Sequence, residues 1–177
     1  MSTTPERTAS VVVVGSFNVD HVWRVATLPQ AGATLSGEYA SGPGGKGFNQ
    51  AMAARRAGAA TAFVCALGGD SGAQLARSLC ASDGIDLRDV ACDVPTGTAG
   101  IYVDAGGRNE IVVAPGANAR LEAGFVESTL AELAAPAVVL AQLESPAEAI
   151  AAALRFGRER GAATILHPAP APRRPGR

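Results

Sequence analysis

The fold is decided by the stretch GPGGKGFNQ at residues 42–50, which is followed by the run Ala51–Ala57. Glycine occupies four of the first six positions, so we expect no regular structure there, and glycine also lets a backbone approach a ligand closely. The run 51–57 consists mostly of strong helix formers, and Gly58 is suited to end that helix. The sequence therefore predicts a glycine loop leading into a helix N-terminus, where free N–H groups and a positive dipole end suit an oxygen-rich ligand.

Two common phosphate-binding motifs do not fit this stretch. A P-loop requires G-x-x-x-x-G-K followed by Ser or Thr, but Ala40 stands where the first glycine belongs and Gly47 replaces the hydroxyl. The dinucleotide motif G-x-G-x-x-G directly follows an apolar strand, and no such strand leads into residue 42. From these residues alone, a plain loop with a helix after it stays open as the alternative.

The composition excludes several classes of protein. The chain has 177 residues, 47% hydrophobic and 18% charged, which is typical of one globular domain with a sizeable core. A net charge of −1 gives no electrostatic reason to expect nucleic acid or a membrane surface as partner.

Targeting and metal-binding signals are also missing from the pattern. The early apolar run Val11–Val14 is too short to span a bilayer, and residues 1–7 are polar, unlike a signal peptide. The three cysteines show neither a disulfide framework nor zinc-site spacing. We therefore expect a cytoplasmic protein without a metal site of its own in these residues.

Buried-strand patterns alternate with helix patterns along the chain. The predicted strands lie at residues 10–15, 62–67, 137–143 and 163–166, with a further short strand expected at 85–90, and the predicted helices lie at 51–57, 71–82, 121–133 and 146–160. Asp70 or Ser71 is suited to cap the second helix, and Ser145 with Glu148 reads as a capping box with Pro146 at the first helical position. This alternation predicts a layered α/β fold with a mostly parallel sheet.

Four shorter strands are predicted outside that sheet, at residues 22–25, 36–40, 100–104 and 109–113. Glycine-containing turns connect the members of each pair. Two ordinary surface hairpins and one small joint sheet remain equally open from the residues alone.

Polar side chains follow two of the buried strands. Asn18 and Asp20 come shortly after the first strand and are two residues apart, so in extended chain they point to the same side. Glu144 follows the strand 137–143, at the edge where open α/β sheets place their ligands. An Asx-rich turn for the first pair and a solvated charge for Glu144 are the simpler alternatives.

These residues resemble the signature of a known family. Gly44 to Ala51, with a glycine pair, Asn49 and small residues around it, and the later Gly58 and Gly68 are similar to the first signature of the ribokinase-like sugar kinases, also called the phosphofructokinase-B family. The resemblance is closest to the ribokinase branch. It extends over almost the whole chain but covers only about the N-terminal half of such an enzyme.

The resemblance implies a fold and a set of site residues. It implies a ribokinase-like layered fold, incomplete here, whose short strands at about 22–40 and 98–113 form a β-sheet lid over the sugar. That lid often also forms a homodimer interface. The implied substrate-binding residues are Asn18, Asp20, Gly45, Lys46, Gly47, Asn49 and Glu144, with Ala99 and Ile101 lining the lid.

The resemblance also implies an activity. Family members transfer the γ-phosphoryl group of ATP with Mg²⁺, and for this branch the implied reaction is phosphorylation of D-ribose to ribose 5-phosphate, with a monovalent cation as a further candidate cofactor. The family's catalytic Gly-Ala-Gly-Asp segment has no counterpart in the 177 residues. We therefore expect no catalytic residue here and an inactive isolated chain, because positioning and charge stabilisation supply most of the catalysis in phosphoryl transfer.

Several expectations stay open at this point. A non-catalytic module that binds a sugar or nucleoside is the alternative from another class, and a fructose or nucleoside kinase is the alternative within the family. His167 stands where related kinases commonly carry Asn, and we expect it to be a loop residue. Residues 1–172 are expected to form one kinase-domain portion, and 173–177 a disordered tail.

Overall fold

The computed structural model describes residues 10–171. In chain order the strands are β1 (Val11–Val14), β2 (Asn18–Val25), β3 (Glu38–Gly44), β4 (Thr61–Leu67), β5 (Asp86–Ala91), β6 (Gly97–Asp104), β7 (Asn109–Ala114), β8 (Val138–Gln142) and β9 (Ala163–His167). The helices are α1 (Lys46–Arg56), α2 (Ser71–Asp83), α3 (Ala123–Glu132) and α4 (Ala147–Glu159), with a 3₁₀ helix at Gly116–Arg120. The predicted tail at 173–177 lies outside the described residues.

The main sheet has five strands in the order β5-β4-β1-β8-β9, and every pair is parallel. The central strand β1 is a run of four valines, of which Val12, Val13 and Val14 are fully buried. Val12 and Val14 pack in one hydrophobic cluster with residues of α3 and α4. Val13 packs in a second cluster with residues of α1 and α2. Helices therefore cover both faces, as a continuous apolar strand requires, and the predicted α/β class is confirmed.

The four short strands form one separate sheet in the order β3-β2-β6-β7. β2 pairs antiparallel with β3, β6 pairs antiparallel with β7, and β2 and β6 join the two hairpins as a parallel pair. The alternative of two independent surface hairpins is therefore excluded. Hereafter these four strands are called the small sheet.

The glycine stretch differs from its prediction. β3 continues through Gly42 and Pro43 to Gly44, so the first part of the stretch is a strand, although no regular structure was expected. Proline is tolerated because β3 lies at the edge of the small sheet. Gly45, with a φ of 89°, is the N-cap, and α1 begins at Lys46, five residues before the predicted helix.

One helix cap is as predicted and another is not. Asp70 caps α2, its side chain accepting a hydrogen bond from the Ala73 N–H at 3.0 Å. The capping box predicted from Ser145 is wrong, because α4 begins one residue later than that motif requires, with Pro146 at the N-cap and no side-chain cap. The hydroxyl of Ser145 is buried without a hydrogen-bond partner.

Between residues 10 and 171, no helix combines the length and the apolar character needed to cross a membrane.

Candidate functional site

The polar residues singled out in the sequence meet where the two sheets join. The chain passes between β1 and β2 at residues 15–17, from β3 into α1 at Gly45, into β6 at Thr96 and out of β7 at Pro115. We call these four crossings the sheet junction. It lies at the carboxyl end of β1, the central strand, which is where open α/β sheets bind their ligands.

Glu144, which follows β8, connects two of the four crossings, at Ser16 and at the start of α1. One of its carboxylate oxygens accepts hydrogen bonds from the Ser16 hydroxyl at 2.6 Å and from the Lys46 N–H at 2.8 Å. The other lies 3.4 Å from the Lys46 ammonium group. A carboxylate at the first turn of α1 also interacts favourably with the helix dipole. Glu144 is therefore not a solvated surface charge but holds α1 against the ends of β1 and β8.

The N-terminus of α1 is not open to a ligand in the predicted way. The N–H groups of the first three helical residues already have partners: Lys46 donates to Glu144, Gly47 to the Ser16 hydroxyl at 3.3 Å, and Phe48 to the Ser16 carbonyl at 2.9 Å. The expectation of free helix N–H groups is therefore wrong. Packing between α1 and residue 16 uses those donors, because buried backbone donors require partners.

Asp20 lies next to this cluster, on β2. Burial raises the pKa of its carboxyl above the ordinary value, and the charge of Glu144 raises it further, while His21 and Lys46 lower it. The side chain lies over Gly44, where an added Cβ atom would come within 2.2 Å of a carboxylate oxygen. Two acids and a lysine therefore share the site, and the position of Asp20 requires glycine in the neighbouring strand.

Asn18 begins β2 and is almost completely buried. Its side-chain oxygen accepts a hydrogen bond from the side-chain nitrogen of Asn118, at 2.8 Å. Asn18 and Asp20 occupy alternate positions of one strand and so lie on one face of the small sheet. The alternative of an Asx-rich turn is excluded, because both residues are in a strand.

The two glycines at the start of α1 allow a close backbone approach. A Cβ on Gly47 would meet the Ser16 nitrogen at 2.5 Å, and one on Gly45 would meet the Asn18 nitrogen at 2.9 Å. Asn49 lies one helical turn after Lys46 and has an exposed side chain. Residues three apart lie on adjoining parts of a helix surface, so Asn49 extends the Lys46 side of α1.

The two candidates on β6 lie beside Asp20. Ala99 is the cross-strand partner of Asp20, and Ile101 is that of Val22. Partners in register share a face of the sheet. Ala99 is buried and Ile101 is half-buried, so they form the apolar continuation of the polar cluster.

His167 ends β9 and contacts the side chain of Gln50, with 3.2 Å between the imidazole nitrogen and the amide nitrogen. Gln50 in turn accepts a hydrogen bond from Gln142, which is fully buried at the end of β8. The expectation that His167 is a loop residue is wrong, since it belongs to a strand.

Sequence reasoning missed Ser16, Asn118 and Gln142. Each is buried and polar, and each contacts a residue at least 31 positions away. No local pattern distinguishes such residues. Ser16 alone shares with Asn18 the signal of a location shortly after the apolar strand β1.

No group of three or more His, Cys, Asp or Glu between residues 10 and 171 is arranged to hold a metal ion. The junction brings together two carboxylates, an amide and an ammonium group, which is a set suited to the hydroxyl groups of a polyol or sugar.

Comparison with known protein families identifies the family of the chain. A profile described as pfkB family carbohydrate kinase matches residues 8–174, which is almost the whole chain. The chain belongs to the pfkB family of carbohydrate kinases. The family expected from the glycine signature is therefore confirmed.

The curated relatives of this pfkB-family chain include ribokinases. The ribokinase of Haemophilus influenzae is 38% identical over 165 residues, which cover 92% of this chain and 54% of the relative. The ribokinase of Mus musculus is 38% identical over 169 residues, covering 94% and 52%. The chain thus spans about half the length of these relatives.

Solved structures show the same fold. The ribokinase of Giardia lamblia superposes with a TM-score of 0.84 at 31% identity, covering 93% of this chain and 56% of that one. The ribokinase of Arabidopsis thaliana, solved with ribose and ATP, gives 0.73 at 27% identity, covering 90% and 53%.

Proposed function

We propose that this chain forms the sugar-binding part of an ATP-dependent kinase that converts D-ribose to ribose 5-phosphate. The observation that carries the proposal is the convergence of Asp20, Glu144, Asn18 and Lys46 at the sheet junction. Ribokinases are the relatives that support ribose as the sugar, and one of the solved neighbours is a ribokinase complexed with ribose and ATP.

The proposed site offers complementary partners to a sugar. Ionised Asp20 and Glu144 are hydrogen-bond acceptors, and Lys46 is a donor, so neighbouring hydroxyl groups can each donate to one residue and accept from another. Asn49, Gly45 and Gly47 are proposed to complete the polar side of the site, with Asn49 reaching a hydroxyl from α1. Ala99 and Ile101 are proposed to cover the apolar side of the sugar ring.

The small sheet is proposed to act as the lid over this sugar and as the surface of a homodimer. β7 supports the second role, because its Ile111, Val112 and Val113 are about half exposed or more, at 53%, 70% and 49%. Apolar side chains grouped in this way commonly mark an interaction surface.

ATP and Mg²⁺ are proposed as the cofactors of the complete enzyme, and a monovalent cation as a further one. A solved relative from Cryptococcus neoformans carries ADP, which supports the nucleotide. Residues 10–171 provide no cluster of metal ligands, so within this proposal magnesium binds with the nucleotide and not at the sugar site. A cytoplasmic location is part of the same proposal, supported by Cys65, Cys80 and Cys92, which are all free thiols.

We propose further that the 177-residue chain binds the sugar without transferring a phosphoryl group. The chain is about half as long as the ribokinases it matches, which supports this proposal. The roles proposed for the polar groups at the sheet junction also support it, because each group would bind the sugar or hold helix α1. A second sugar is favoured by a specific observation: deoxyribokinase of Salmonella typhi is 32% identical over 165 residues. A fructose or nucleoside kinase and a non-catalytic binding module are the remaining alternatives.

Calorimetric titration of the purified chain with D-ribose, 2-deoxy-D-ribose, D-fructose and adenosine tests the proposal. We expect ribose to bind most tightly and Asp20→Asn to weaken binding about tenfold or more, because a hydrogen bond to a charged acceptor is replaced by one to a neutral amide. Arg155→Ala, which removes an exposed ion pair with Glu127, should leave binding unchanged. Tighter binding of another sugar or of adenosine would replace ribose in the proposal, and turnover of ATP with ribose would contradict the predicted inactivity.

A further inference from the structure

A buried pair of amides lies behind the proposed sugar site. Asn18 and Asn118 are only 4% and 2% exposed, and they are separated by 100 positions along the chain. Asn118 belongs to the 3₁₀ helix after β7, and Asn18 is the first residue of β2. The pair therefore connects two of the four crossings of the sheet junction.

The backbone of Phe17 determines how the Asn118 amide is oriented. The Phe17 N–H donates to the Asn118 side-chain oxygen at 3.0 Å, and the Asn118 side-chain nitrogen donates to the Phe17 carbonyl at 2.9 Å. A backbone N–H is always a donor and a carbonyl always an acceptor, so the oxygen and nitrogen of Asn118 cannot exchange places.

The orientation of the Asn118 amide also determines that of the Asn18 amide. The nitrogen of Asn118 also donates to the atom of Asn18 that faces it, which must therefore be the Asn18 oxygen, at 2.8 Å. The NH₂ group of Asn18 consequently lies on the other side of its amide, away from Asn118. We propose that Asn118 is a positioning residue that holds the Asn18 NH₂ group toward the sugar, as a donor beside the acceptor Asp20.

This inference rests on the proposed function for its ligand and adds the direction of one hydrogen bond. A sugar oxygen next to Asn18 is recognised as an acceptor, and its own hydroxyl proton is directed to Asp20. Neutral amides can present either end to a ligand, so without Asn118 the site would lose this selection.

The backbone of Gly97 packs directly against the pair. A Cβ added to Gly97, the first residue of β6, would lie 2.2 Å from the Asn118 nitrogen and 2.3 Å from the Asn18 oxygen. The third crossing of the junction, where the chain enters β6, therefore also contacts the pair. This close contact requires glycine at residue 97, for steric reasons rather than for its φ angle.

The orientation is tested first in the unmodified chain, by NMR measurement of the exchange of side-chain NH₂ protons with water. We expect the Asn118 NH₂ protons, which have two acceptors, to exchange about tenfold or more slowly than those of Asn18 without sugar. Added ribose should then shift the Asn18 NH₂ resonances. Equal or greater protection of the Asn18 protons in the absence of sugar would overturn the proposal.

Asn118→Asp tests the positioning role. The aspartate still accepts from the Phe17 N–H, but its second oxygen faces the Phe17 carbonyl and the Asn18 oxygen, where donors are required. We expect Tm to fall by about 5 °C or more and ribose Kd to rise about tenfold or more. Val126→Ala is the control, because it truncates a fully buried side chain of α3 and should lower Tm without changing Kd more than about twofold.

The outcomes separate this inference from the proposed function. If ribose does not bind the unmodified chain but the exchange rates differ as expected, the ribose proposal fails and the orientation of Asn18 stands. If ribose binds and Asn118→Asp leaves Kd unchanged, the positioning role fails and the ribose proposal stands. If Asn118→Asp does not fold, the exchange rates and the ribose-induced shift in the unmodified chain decide.

Discussion

At the scale of single residues, two of the proposed binding groups, Glu144 and Asp20, also affect the stability of the fold, in opposite directions. Glu144 stabilises the fold, because its carboxylate accepts two hydrogen bonds at the start of α1. Asp20 has the opposite effect, because burial and the charge of Glu144 raise the pKa of its carboxyl. A group held in an unfavourable state is a common cost of a binding site.

The raised pKa of Asp20 predicts a stability change that depends on pH. The folded chain holds this proton more tightly than the unfolded chain, so stability is lost as pH rises from 3.8 through the raised pKa and stays lost above it. Asp20→Asn should therefore raise Tm at pH 7 by about 1–3 °C and have little effect below pH 3.8. Thermal unfolding at pH 3.5 and 7 measures the difference.

Asp104→Asn is the matched control for that experiment. A hydrogen bond from Arg108 lowers the pKa of the Asp104 carboxyl, so its stabilising effect is present at pH 7 and is lost as pH falls through the lowered pKa. The substitution should therefore lower Tm at pH 7. The same sign of change for Asp20→Asn and Asp104→Asn would contradict the assigned pKa directions.

The geometry of Glu144 predicts that its two hydrogen bonds contribute more to the stability of the fold than its ion pair with the Lys46 side chain. Glu144→Gln weakens the contacts with Ser16 and the Lys46 N–H, and we expect the free energy of unfolding to fall by about 1–3 kcal/mol. Lys46→Ala removes only the contact at 3.4 Å, in which the Lys46 side chain is 36% exposed, and should cost less than about 1 kcal/mol. Urea unfolding of both variants is the measurement, and an equal loss would show that the ion pair dominates.

At the scale of elements, α1 is held in place by contacts at its first turn. Its N-cap and its second residue are glycines, and both lie against the backbone of residues 15–18. Glycine has a low helix propensity, so these two glycines weaken α1 as a helix. Their lack of a side chain allows the start of α1 to lie next to β1. The helix and the strand are thereby joined closely enough for Glu144 to contact both.

Gly47→Ala should consequently be destabilising although alanine is the better helix former. The new Cβ would meet the Ser16 nitrogen at 2.5 Å, and we expect a loss of about 1–3 kcal/mol in the free energy of unfolding. Gly124→Ala in α3 is the matched control, because nothing lies within 4 Å of its added Cβ. It should be neutral or stabilise by up to about 1 kcal/mol. Equal effects of the two substitutions in urea unfolding would contradict the packing role of Gly47.

At the scale of the whole molecule, two sheets share one junction and expose different surfaces. β9 lies at one edge of the main sheet, with Ile165 and Leu166 exposed at 49% and 43%. β7 lies at one edge of the small sheet with its own exposed aliphatic residues. Neighbouring residues of β7 point to opposite faces, which allows the proposed dimer surface to be assigned to one face.

Ile111 pairs with Ile101, on the face that carries Asp20, whereas Val112 pairs with Gly100, on the face that carries His21. If the homodimer forms through the face over the sugar site, Ile111→Lys should convert it to a monomer because it buries an unpaired charge. Val112→Lys should leave the dimer intact. Sedimentation velocity measures both, and a monomeric unmodified chain or dissociation by Val112→Lys alone would refute this assignment.

Much of the fold was predictable from local patterns. Apolar runs such as Val11–Val14 located four of the five strands of the main sheet, and the glycine signature around residue 45 indicated the family. The predicted start of α1 was wrong, because it depends on which distant groups lie beside it, and α4 begins one residue later than the capping box required, without a side-chain cap. For α1 those groups include Ser16 and Glu144, which no window around residue 45 contains.

The sequence by itself determined the alternation of strands and helices, since the periodicity of apolar residues follows from which faces must be buried. It also determined which chemistry is present, through Asp20, Lys46 and Glu144. The tertiary structure alone decided which polar atoms face one another, as in the bond between Ser16 and Glu144 across 128 positions. The physical reason is that hydrogen bonds depend on distance and direction between atoms, whereas apolar burial depends mainly on area and leaves a repeating pattern.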